Sequence, residues 1–569
     1  MPTKLGLALS GGGFRASFFH LGVLAQLAEA GLLRHVEAIS AVSGGAIIAA
    51  LYYLHLKRLL EEKPDAEITD ADYTALVQTV IGEFLQATEQ NLRMLTFADF
   101  TANWKMRRPD YSRSDRLAAL YDQWLYRKAA GKNWIEMREL KIRPPGFPHF
   151  HPYYHNWLRR AKVPVLVLNA TTLNTGRNWQ FTARTMGEPK PTWRESDSLP
   201  IRLRRAPDYR HMVLRQQYFT LAHAVAASSA VPALLHPLSL SDLYRSHCLP
   251  VRVQLVDGGV HDNLGISALV DEGCTHFAIS DASGQLGFEK EPETSPAFVL
   301  ARTAAILQER IRQESLNRLV ETRGRENVAF VHLRQGLAVR ELAWIGQDDQ
   351  PAEKDQIIFP APQCPDIAPE VQEHLARIRT DLDAFTEVEA YSLMLAGFLL
   401  SRRELADRRN LGYPPSQANH LRWPFLAIGR WMKTPSADYL RQLEVGRLQF
   451  GKTLLLYPSL LAGSATLVLL GLVALWPVLA KWLSLKVSLG AIAAGLGLVA
   501  LDQLAHKLAR GRLAPLVPVL AYLPLGWYPT FRRIVLRAVP PVVGTLFVRA
   551  YLRFINPLFL NRGRLANLK

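Results

Sequence analysis

Apolar and polar positions near the N-terminus alternate between two patterns. The runs 4–9 and 36–42 are mostly apolar and have the length of buried strands, and each is followed by a glycine-rich turn. After these turns, apolar residues recur at helical spacing over 15–30 and 44–60. Two successive strand–turn–helix units are typical of a parallel α/β sheet. Both turns are therefore expected at the carboxyl ends of their strands, the edge where open α/β sheets bind ligands.

The alternation continues along the chain. Further strands are predicted at 163–170, 179–182, 251–256, 277–280 and 328–333, and helices at 73–95, 114–126, 221–230, 297–322 and 382–405. The predicted class is α/β, with a mainly parallel central sheet in a domain over residues 1–413.

Residues 57–162 differ because they have only helical spacing and end in a segment rich in proline and aromatic residues. We interpret this stretch as a helical insertion that covers the cleft as a lid. Its histidines His149, His151 and His155 suggest metal ligands, but flanking prolines and the lack of a nearby Asp or Glu favour a covering loop without a metal.

The composition changes after residue 413. Residues 414–452 predict an amphipathic linker, and 453–480 contain no charged residue over 28 positions, more than the roughly 20 that span a bilayer. A second apolar run at 487–501 completes a predicted transmembrane helical hairpin over 453–504. Residues 505–569 are expected to form a basic tail in the membrane interface. The alternative for these apolar helices is a soluble helical domain.

Positive charge is concentrated in this C-terminal region. From residue 414 onward there are 19 Lys or Arg against 3 Asp or Glu, so 19 − 3 = +16 of the formal net charge of +17 lies there. Because this charge flanks apolar runs, the expected partner is an anionic lipid leaflet and not nucleic acid. The excess of basic residues on both sides of the hairpin predicts an integral membrane protein whose catalytic domain is cytoplasmic.

Two further features agree with that location. The chain starts with a strand pattern instead of a charged and then apolar leader, which argues against a signal peptide. The three cysteines, Cys248, Cys274 and Cys364, have no metal-ligand spacing and are predicted to be buried small side chains without a disulfide framework.

The two glycine-rich turns carry the candidate chemistry. In the first turn, Gly11, Gly12 and Gly13 leave backbone amides unobstructed at a helix N-terminus, which favours negative charge and suits an oxyanion. In the second turn, Ser43 stands on a sharp strand-to-helix bend between small residues, as the serine of a nucleophile elbow does.

Ester hydrolysis also needs a base that accepts the proton of the nucleophile. Asp257 follows a predicted strand and precedes two glycines, which let the backbone turn tightly and direct the carboxylate at a neighbouring strand end.

Asp281 is a rival base that we expect to be structural. His261 would complete a triad in an alternative scheme, but we interpret it as a rim histidine and Asn263 as a backbone brace. No cofactor is required. The residues expected to support the site are Arg15, Gly44, Gly45, Gly258, Gly259 and Asn263.

Three sequence motifs resemble those of the patatin-like phospholipases, and the first and third are most similar to the cytosolic phospholipase A2 branch. They are Ser-Gly-Gly-Gly-Phe-Arg-Ala at 10–16, Val-Ser-Gly-Gly at 42–45 and Val-Asp-Gly-Gly-Val-His-Asp-Asn at 256–263. The resemblance covers roughly 4–412. It implies a three-layer α/β fold, a dyad of Ser43 and Asp257, and acyl-lipid substrates.

Two positions qualify the resemblance. The family elbow usually begins with glycine, and here that position is Ala41, the smallest alternative. Arg15 matches the basic position after the family's glycines, where it either pairs with a lipid phosphate or fixes the loop.

The function predicted from the sequence is a membrane-anchored serine acyl hydrolase of the phospholipase A or lysophospholipase type. A lipid transacylase with the same acyl-enzyme and a non-catalytic membrane scaffold are the alternatives. A nucleotide site at the first glycines is disfavoured, because no lysine follows at P-loop spacing.

Overall fold

A computed structural model of the chain describes residues 3–106, 108, 110–190, 201–205, 207–246, 249–284, 286–345, 354–407, 411, 413, 423–449, 451–457, 459 and 545–569. The strands are β1 Leu5–Leu9, β2 Val36–Val42, β3 Val165–Thr172, β4 Asn178–Phe181, β5 Met186–Gly187, β6 Leu238–Ser246, β7 Leu249–Asp257, β8 His276–Asp281, β9 Val328–His332, β10 Val339–Glu341 and β11 Gln356–Ile358.

The α-helices alternate with these strands over much of the chain. They are α1 Gly13–Glu29, α2 Gly44–Glu62, α3 Asp70–Thr88, α4 Leu92–Phe97, α5 Phe100–Lys105, α6 Arg113–Tyr121, α7 Arg127–Ala130, α8 Pro152–His155, α9 Leu214–Gln217, α10 Leu221–Ser228, α11 Gly259–Asp262, α12 Ile266–Asp271, α13 Pro296–Arg323, α14 Pro369–Arg377, α15 Glu387–Asp407, α16 Gly429–Lys433, α17 Ala437–Val445, α18 Lys452–Leu456 and α19 Asn556–Arg562.

Within the described residues, nine strands form one sheet whose main path runs β5-β4-β3-β2-β1-β8-β9. Strands β3, β2, β1, β8 and β9 run parallel to one another along this path, while β4 pairs antiparallel with β3. Strand β7 pairs antiparallel with both β3 and β6, so the sheet branches beside the end of β3. The predicted α/β class with a mainly parallel central sheet is confirmed.

Helices cover both faces of the sheet. On one face, α1, α2, α3, α10 and α15 contribute to the main hydrophobic core. On the other face, α12 and the C-terminal part of α13 bury a smaller cluster against β1, β2, β8 and β9. The central strands are buried on both sides, which explains why their sequences are nearly continuous apolar runs.

Residues 57–162 are predicted to be helical, and the regular structure described there consists of α2 to α8 with short 3₁₀ and π turns. The predicted helix 73–95 is divided into α3 and α4, because Asn91 has a left-handed backbone and caps α4 through its side chain. Helix α3 lies in the main core, where Phe84 packs against Phe14 of α1 with ring centroids 5.5 Å apart. This part of the predicted insertion therefore belongs to the domain interior.

The chain divides into two compact units. The first is Met1–Lys452 with Leu552–Lys569, and the second is Thr453–Tyr551. The first unit thus includes the described part of the predicted linker and the end of the predicted tail. The transmembrane hairpin predicted over 453–504 and the tail up to 544 lie almost entirely outside the described residues. Among the residues that are described, no helix combines the length and apolar character needed to cross a membrane.

Candidate active site

Ser43 occupies a strained turn between β2 and α2. Its φ of 49° and ψ of −116° are rare for a residue other than glycine, and its side chain is buried. The turn is tight because a Cβ on Gly44 would lie 2.1 Å from the carbonyl oxygen of Gly13. The Ser43 amide donates a hydrogen bond to Ser228 Oγ at 2.9 Å. These features make the turn a nucleophile elbow in geometry as well as in sequence.

Asp257 ends β7 at the same edge of the sheet. It pairs with Ala170 of β3, and the neighbouring Asn169 pairs with Val42 of β2, so the ends of β7 and β2 flank the same point of β3. The Ser43 side chain lies near enough to the Asp257 carboxylate to act on the pKa of that carboxylate, which it lowers. The structure therefore brings together two predicted residues that are more than 200 positions apart in the chain.

The electrostatic surroundings of Asp257 favour a proton acceptor near neutral pH. Burial raises the pKa of Asp257 to about 6, although the hydrogen bonds from Ser43 and the Gly259 amide act in the opposite direction. The Gly259 amide donates to Asp257 Oδ1 at 2.7 Å and fixes that side of the carboxylate. A carboxylate with a pKa near the working pH is ionised and still basic enough to take a proton.

The first glycine turn supplies amides beside Ser43, but not all those predicted. The amide of Gly11 donates to the carbonyl of Asn263 at 3.1 Å, so its hydrogen is already bonded within the protein. Among the described residues, the amides of Gly12 and Gly13 have no acceptor. Both glycines have positive φ, of 139° and 57°, which turns the chain sharply into α1. Of the three amides predicted to bind an oxyanion, those of Gly12 and Gly13 are therefore the ones left available.

The amide of Gly44 was predicted only as part of the supporting turn. It is the first amide of α2, it also has no acceptor among the described residues, and a Cβ on Gly44 would lie 2.8 Å from the Gly13 nitrogen. Its position directly after Ser43 is the position that supplies a donor amide in a nucleophile elbow, which makes it a further candidate donor.

The C-terminal end of α10 forms hydrogen bonds with both the Ser43 turn and the Asp257 turn, and these contacts are not predicted from the sequence. We refer to this helix end as the brace of α10. Ser228 Oγ accepts from Ser43 and donates to the carbonyl of Asn169 at 2.6 Å, and its own carbonyl accepts from the Gly258 amide at 3.2 Å. The Asp257 amide donates to the carbonyl of Ala230 at 3.0 Å. The small residues of this helix end were the available signal, because only small side chains fit so close to both turns.

Asn263 lies between the first glycine turn and the Asp257 turn. Its Oδ1 is 2.3 Å from the position of a Cβ on Gly11 and 2.5 Å from that of a Cβ on Gly259. Glycine is therefore required on both sides, and the side chain separates the two turns at a fixed distance.

Of the two roles expected for Arg15, pairing with a lipid phosphate or fixing the loop, the contacts in the structure correspond to fixing the loop. The guanidinium is buried and donates to the carbonyls of Ala282 at 2.8 Å, Ile378 at 2.8 Å and Ala376 at 3.1 Å. All three nitrogens are engaged with backbone oxygens, since Nε also donates to Ala282. The side chain connects α1 to two distant segments and is not directed at a lipid phosphate.

The other candidate residues have structural partners. Asp281 Oδ1 accepts from the Ser283 hydroxyl at 2.6 Å, and Oδ2 pairs with Arg312 at 3.2 Å. His261 lies in α11 and is partly exposed. In the predicted covering loop, the backbone amide of His151 donates to His155 Nδ1 at 2.9 Å. The described part of the chain contains no group of three His, Cys, Asp or Glu side chains arranged to hold a metal ion.

Ala41 fits where the family usually has glycine. It is fully buried in β2 between Leu9 of β1 and Leu168 of β3. Its carbonyl accepts from Asn169 Nδ2 at 3.1 Å, so the extra methyl group is accommodated without loss of the strand pairing.

Residues 7–270 match the family of patatin-like phospholipases. Ser43, Asp257 and both glycine turns lie inside this matched segment, and the match supports an acyl-ester hydrolase. No curated protein matches the sequence significantly.

Three solved structures illustrate the likeness in fold. Human group IVD cytosolic phospholipase A2, in complex with methyl γ-linolenyl fluorophosphonate and terbium chloride, is 14% identical with a TM-score of 0.36, over 72% of this chain and 59% of that chain. VipD from Legionella pneumophila is 13% identical with a TM-score of 0.28, over 71% and 67% of the two chains. Full-length ExoU from Pseudomonas aeruginosa, solved with SpcU, is 12% identical with a TM-score of 0.20, over 80% and 87%.

Proposed function

We propose that the protein is a serine acyl hydrolase of the phospholipase A or lysophospholipase type, in which Ser43 is the nucleophile and Asp257 the general base. The observation that carries this proposal is the proximity of Ser43, on its strained turn, to the buried carboxylate of Asp257, whose pKa is raised to about 6. A histidine between the two is not needed, because the carboxylate itself is a sufficient base at neutral pH.

In the first half-reaction, Ser43 Oγ attacks the ester carbonyl carbon while its proton passes to Asp257. The tetrahedral intermediate then expels the alcohol part of the lipid, which leaves with the proton from Asp257, and the acyl group remains on Ser43. In the second half-reaction, Asp257 takes a proton from water as the water attacks the acyl-enzyme. The fatty acid leaves, and the proton returns to Ser43.

The negative charge on the intermediate requires donors that are already oriented. We assign this role to the amides of Gly12, Gly13 and Gly44, which start α1 and α2. Helix N-termini favour negative charge, and preoriented donors of this kind are each worth about 3 kcal/mol in a serine hydrolase.

An acyl-lipid substrate is supported by the apolar surface near the site. Helix α13 packs on α11 and α12, which follow the Asp257 turn. Its N-terminal half exposes large apolar side chains that no other described part of the chain covers, namely Val299, Leu300, Ile306, Leu307 and Ile311. Val260 of α11, which follows the Asp257 turn directly, is also exposed. Such a surface suits the acyl chains of a lipid aggregate.

We further propose that the apolar run within 453–504 anchors the enzyme as a transmembrane hairpin, with 505–569 in the interface of an anionic leaflet and the catalytic domain on the cytoplasmic side. The support is the uncharged stretch of 28 residues and the excess of 16 positive charges from residue 414 onward. Fractionation of the full chain tests this proposal. It predicts that the protein resists alkaline extraction from membranes, and release by carbonate would contradict the anchor.

The proposed activity is tested with full-length protein in detergent micelles, a panel of phospholipids and lysophospholipids, and a fluorophosphonate probe. We expect released fatty acid and covalent labelling in the wild type, and neither in Ser43→Ala. A lipid product that carries the acyl group on an added alcohol acceptor would identify the transacylase alternative. Absence of both labelling and turnover in the folded wild type would overturn the enzyme proposal.

A further inference from the structure

A buried cluster of charged side chains lies behind the first glycine turn. It contains three cations and three anions, and we refer to it as the ion cluster. Its members are Arg93, Arg379, Lys452, Asp381, Asp383 and Glu389.

The centre of the ion cluster is almost completely removed from solvent. The side chains of Arg379, Asp383 and Glu389 are each 1% exposed, and that of Lys452 is 2% exposed. Arg379 Nε donates to Asp383 Oδ1 at 2.6 Å, while Lys452 Nζ donates to the other oxygen of the same carboxylate. Each buried charge thus depends on its partners, because an unpaired charge in such a site is strongly unfavourable.

Arg93 connects the two aspartates of the ion cluster. Its NH1 donates to Asp381, and its NH2 lies 3.7 Å from Asp383 Oδ2. Its backbone amide also donates to the carbonyl of Leu382 at 3.0 Å. The position of Arg93 is therefore set by both carboxylates.

Asp381 forms the wall of the first glycine turn. Its carbonyl accepts from the Phe14 amide at 2.9 Å, and a Cβ on Gly13 would lie 2.6 Å from the same oxygen. Arg15 reinforces this contact by donating to the carbonyl of Ile378. The turn at 378–383 therefore fixes the backbone of Gly13, whose amide is one of the proposed oxyanion donors.

The ion cluster also receives the two chain segments that flank the second unit. Lys452 is the last residue of the first unit before the uncharged run, and its Nζ lies 4.4 Å from the ring centroid of Phe559 in α19. Near it, Asn91 Nδ2 donates to Asn556 Oδ1 at 3.1 Å. The end of the first stretch of the first unit and the start of its second stretch therefore meet at the ion cluster.

We propose that Lys452 is a positioning residue for the first glycine turn, because its charge holds Asp383 and thereby keeps the 378–383 turn against Gly13. Lys452 then affects turnover at Ser43 without touching the substrate. This proposal rests on the proposed acyl-hydrolase function, and the experiment below separates the two.

The test compares Lys452→Met with wild type in the full chain, in detergent micelles, with a water-soluble short-chain ester that needs no membrane. We expect kcat to fall about tenfold with KM unchanged, because small displacements of oriented donors affect the transition state more than binding. Lys452→Arg is expected to restore most of kcat. Lys433→Met is the matched control, since Lys433 is exposed and pairs only with Asp366 at 3.3 Å among the described residues, and it should leave kcat unchanged.

A charge-balanced variant separates positioning from general stability. Asp383→Asn combined with Lys452→Met leaves two cations and two anions, so we expect the melting temperature to recover toward wild type. The link to the 378–383 turn stays broken, so kcat should stay low. Recovery of kcat together with the melting temperature would overturn the proposal.

Amide hydrogen exchange provides a readout independent of activity. Peptides covering 11–15 should exchange faster in Lys452→Met than in wild type and Lys433→Met, and equal exchange with unchanged kcat would also overturn the proposal. If the folded wild type and Ser43→Ala are equally inactive on the ester, the proposed function fails, and the exchange experiment still decides whether Lys452 positions the turn.

Discussion

Two buried aspartates in the same unit differ in the groups that surround them. Asp257 has a serine hydroxyl and the Gly259 amide as partners, and burial raises its pKa to about 6. Asp383 is also buried, but the three cations of the ion cluster outweigh the effect of burial and hold its pKa below the usual range. Burial alone therefore does not decide what a carboxylate does.

The difference lies in whether a cation is present. A buried carboxylate without one keeps a high affinity for a proton and can act as a base at neutral pH. A buried carboxylate among cations stays ionised and connects chain segments instead. The first arrangement costs stability in exchange for reactivity, and the second makes stability depend on every member of the cluster.

The largest expected effect concerns the partner of Asp257. Ser43→Ala removes the nucleophile and should lower turnover of a phospholipid substrate by about a thousandfold or more, without loss of folding. Ser239→Ala is a suitable control, because Ser239 lies in β6 and its Oγ donates to Gln254 of β7, which is not among the site residues. Release of fatty acid by Ser43→Ala at the wild-type rate would contradict the assignment.

Replacement of each aspartate by asparagine should change the free energy of unfolding in opposite directions. Because the folded pKa of Asp257 lies above the value of 3.8 for an unperturbed aspartate, the folded protein binds this proton more tightly. Ionisation therefore costs stability above about pH 6 and not below pH 4. Asp257→Asn removes that cost and should stabilise the protein by up to about 3 kcal/mol at pH 8 while abolishing turnover.

Asp383→Asn should instead destabilise the protein by about 3 to 5 kcal/mol at pH 8, because Arg379 and Lys452 lose a buried partner. Denaturant unfolding of both variants at pH 4 and pH 8 measures the contrast. A loss of stability in Asp257→Asn at pH 8 would show that its carboxylate is held by charges in the same way as Asp383.

A smaller effect is expected at the brace of α10. Ser228→Ala removes the acceptor for the Ser43 amide and the donor to Asn169, so we expect a loss of about 1 to 3 kcal/mol in stability and a decrease in kcat. Ser229→Ala is the matched control, because its hydroxyl contacts Val225 and Tyr121 but not the elbow. Equal kcat values for the two variants would remove Ser228 from the positioning of Ser43.

The positions of the central parallel strands, both glycine turns and the location of Ser43 and Asp257 at strand ends could be predicted from the sequence, because each depends on a local pattern. A buried strand followed by glycines and a helix specifies the edge of a parallel sheet wherever it occurs. The division of the predicted helix 73–95 at Asn91 depends on a capping geometry that apolar spacing does not show.

The remaining features depend on contacts between distant segments. The Gly11 amide is engaged by Asn263 from more than 250 residues away, so the glycine pattern alone does not reveal which amides remain available. The ion cluster joins Arg93, Arg379 and Lys452, which have no common local motif. The predicted helix 382–405 begins at Glu387 instead, because Asp383 and the residues after it form the turn that carries the cluster.

The central claim, that Asp257 is the base for Ser43, is tested most directly by the pH dependence of Ser43 labelling with a fluorophosphonate. In the wild type, the labelling rate should rise about tenfold per pH unit up to about pH 6 and then level off, as Asp257 loses its proton. In Asp257→Asn, the rate should be low and without this rise. The same rise below pH 6 in both proteins would contradict the account.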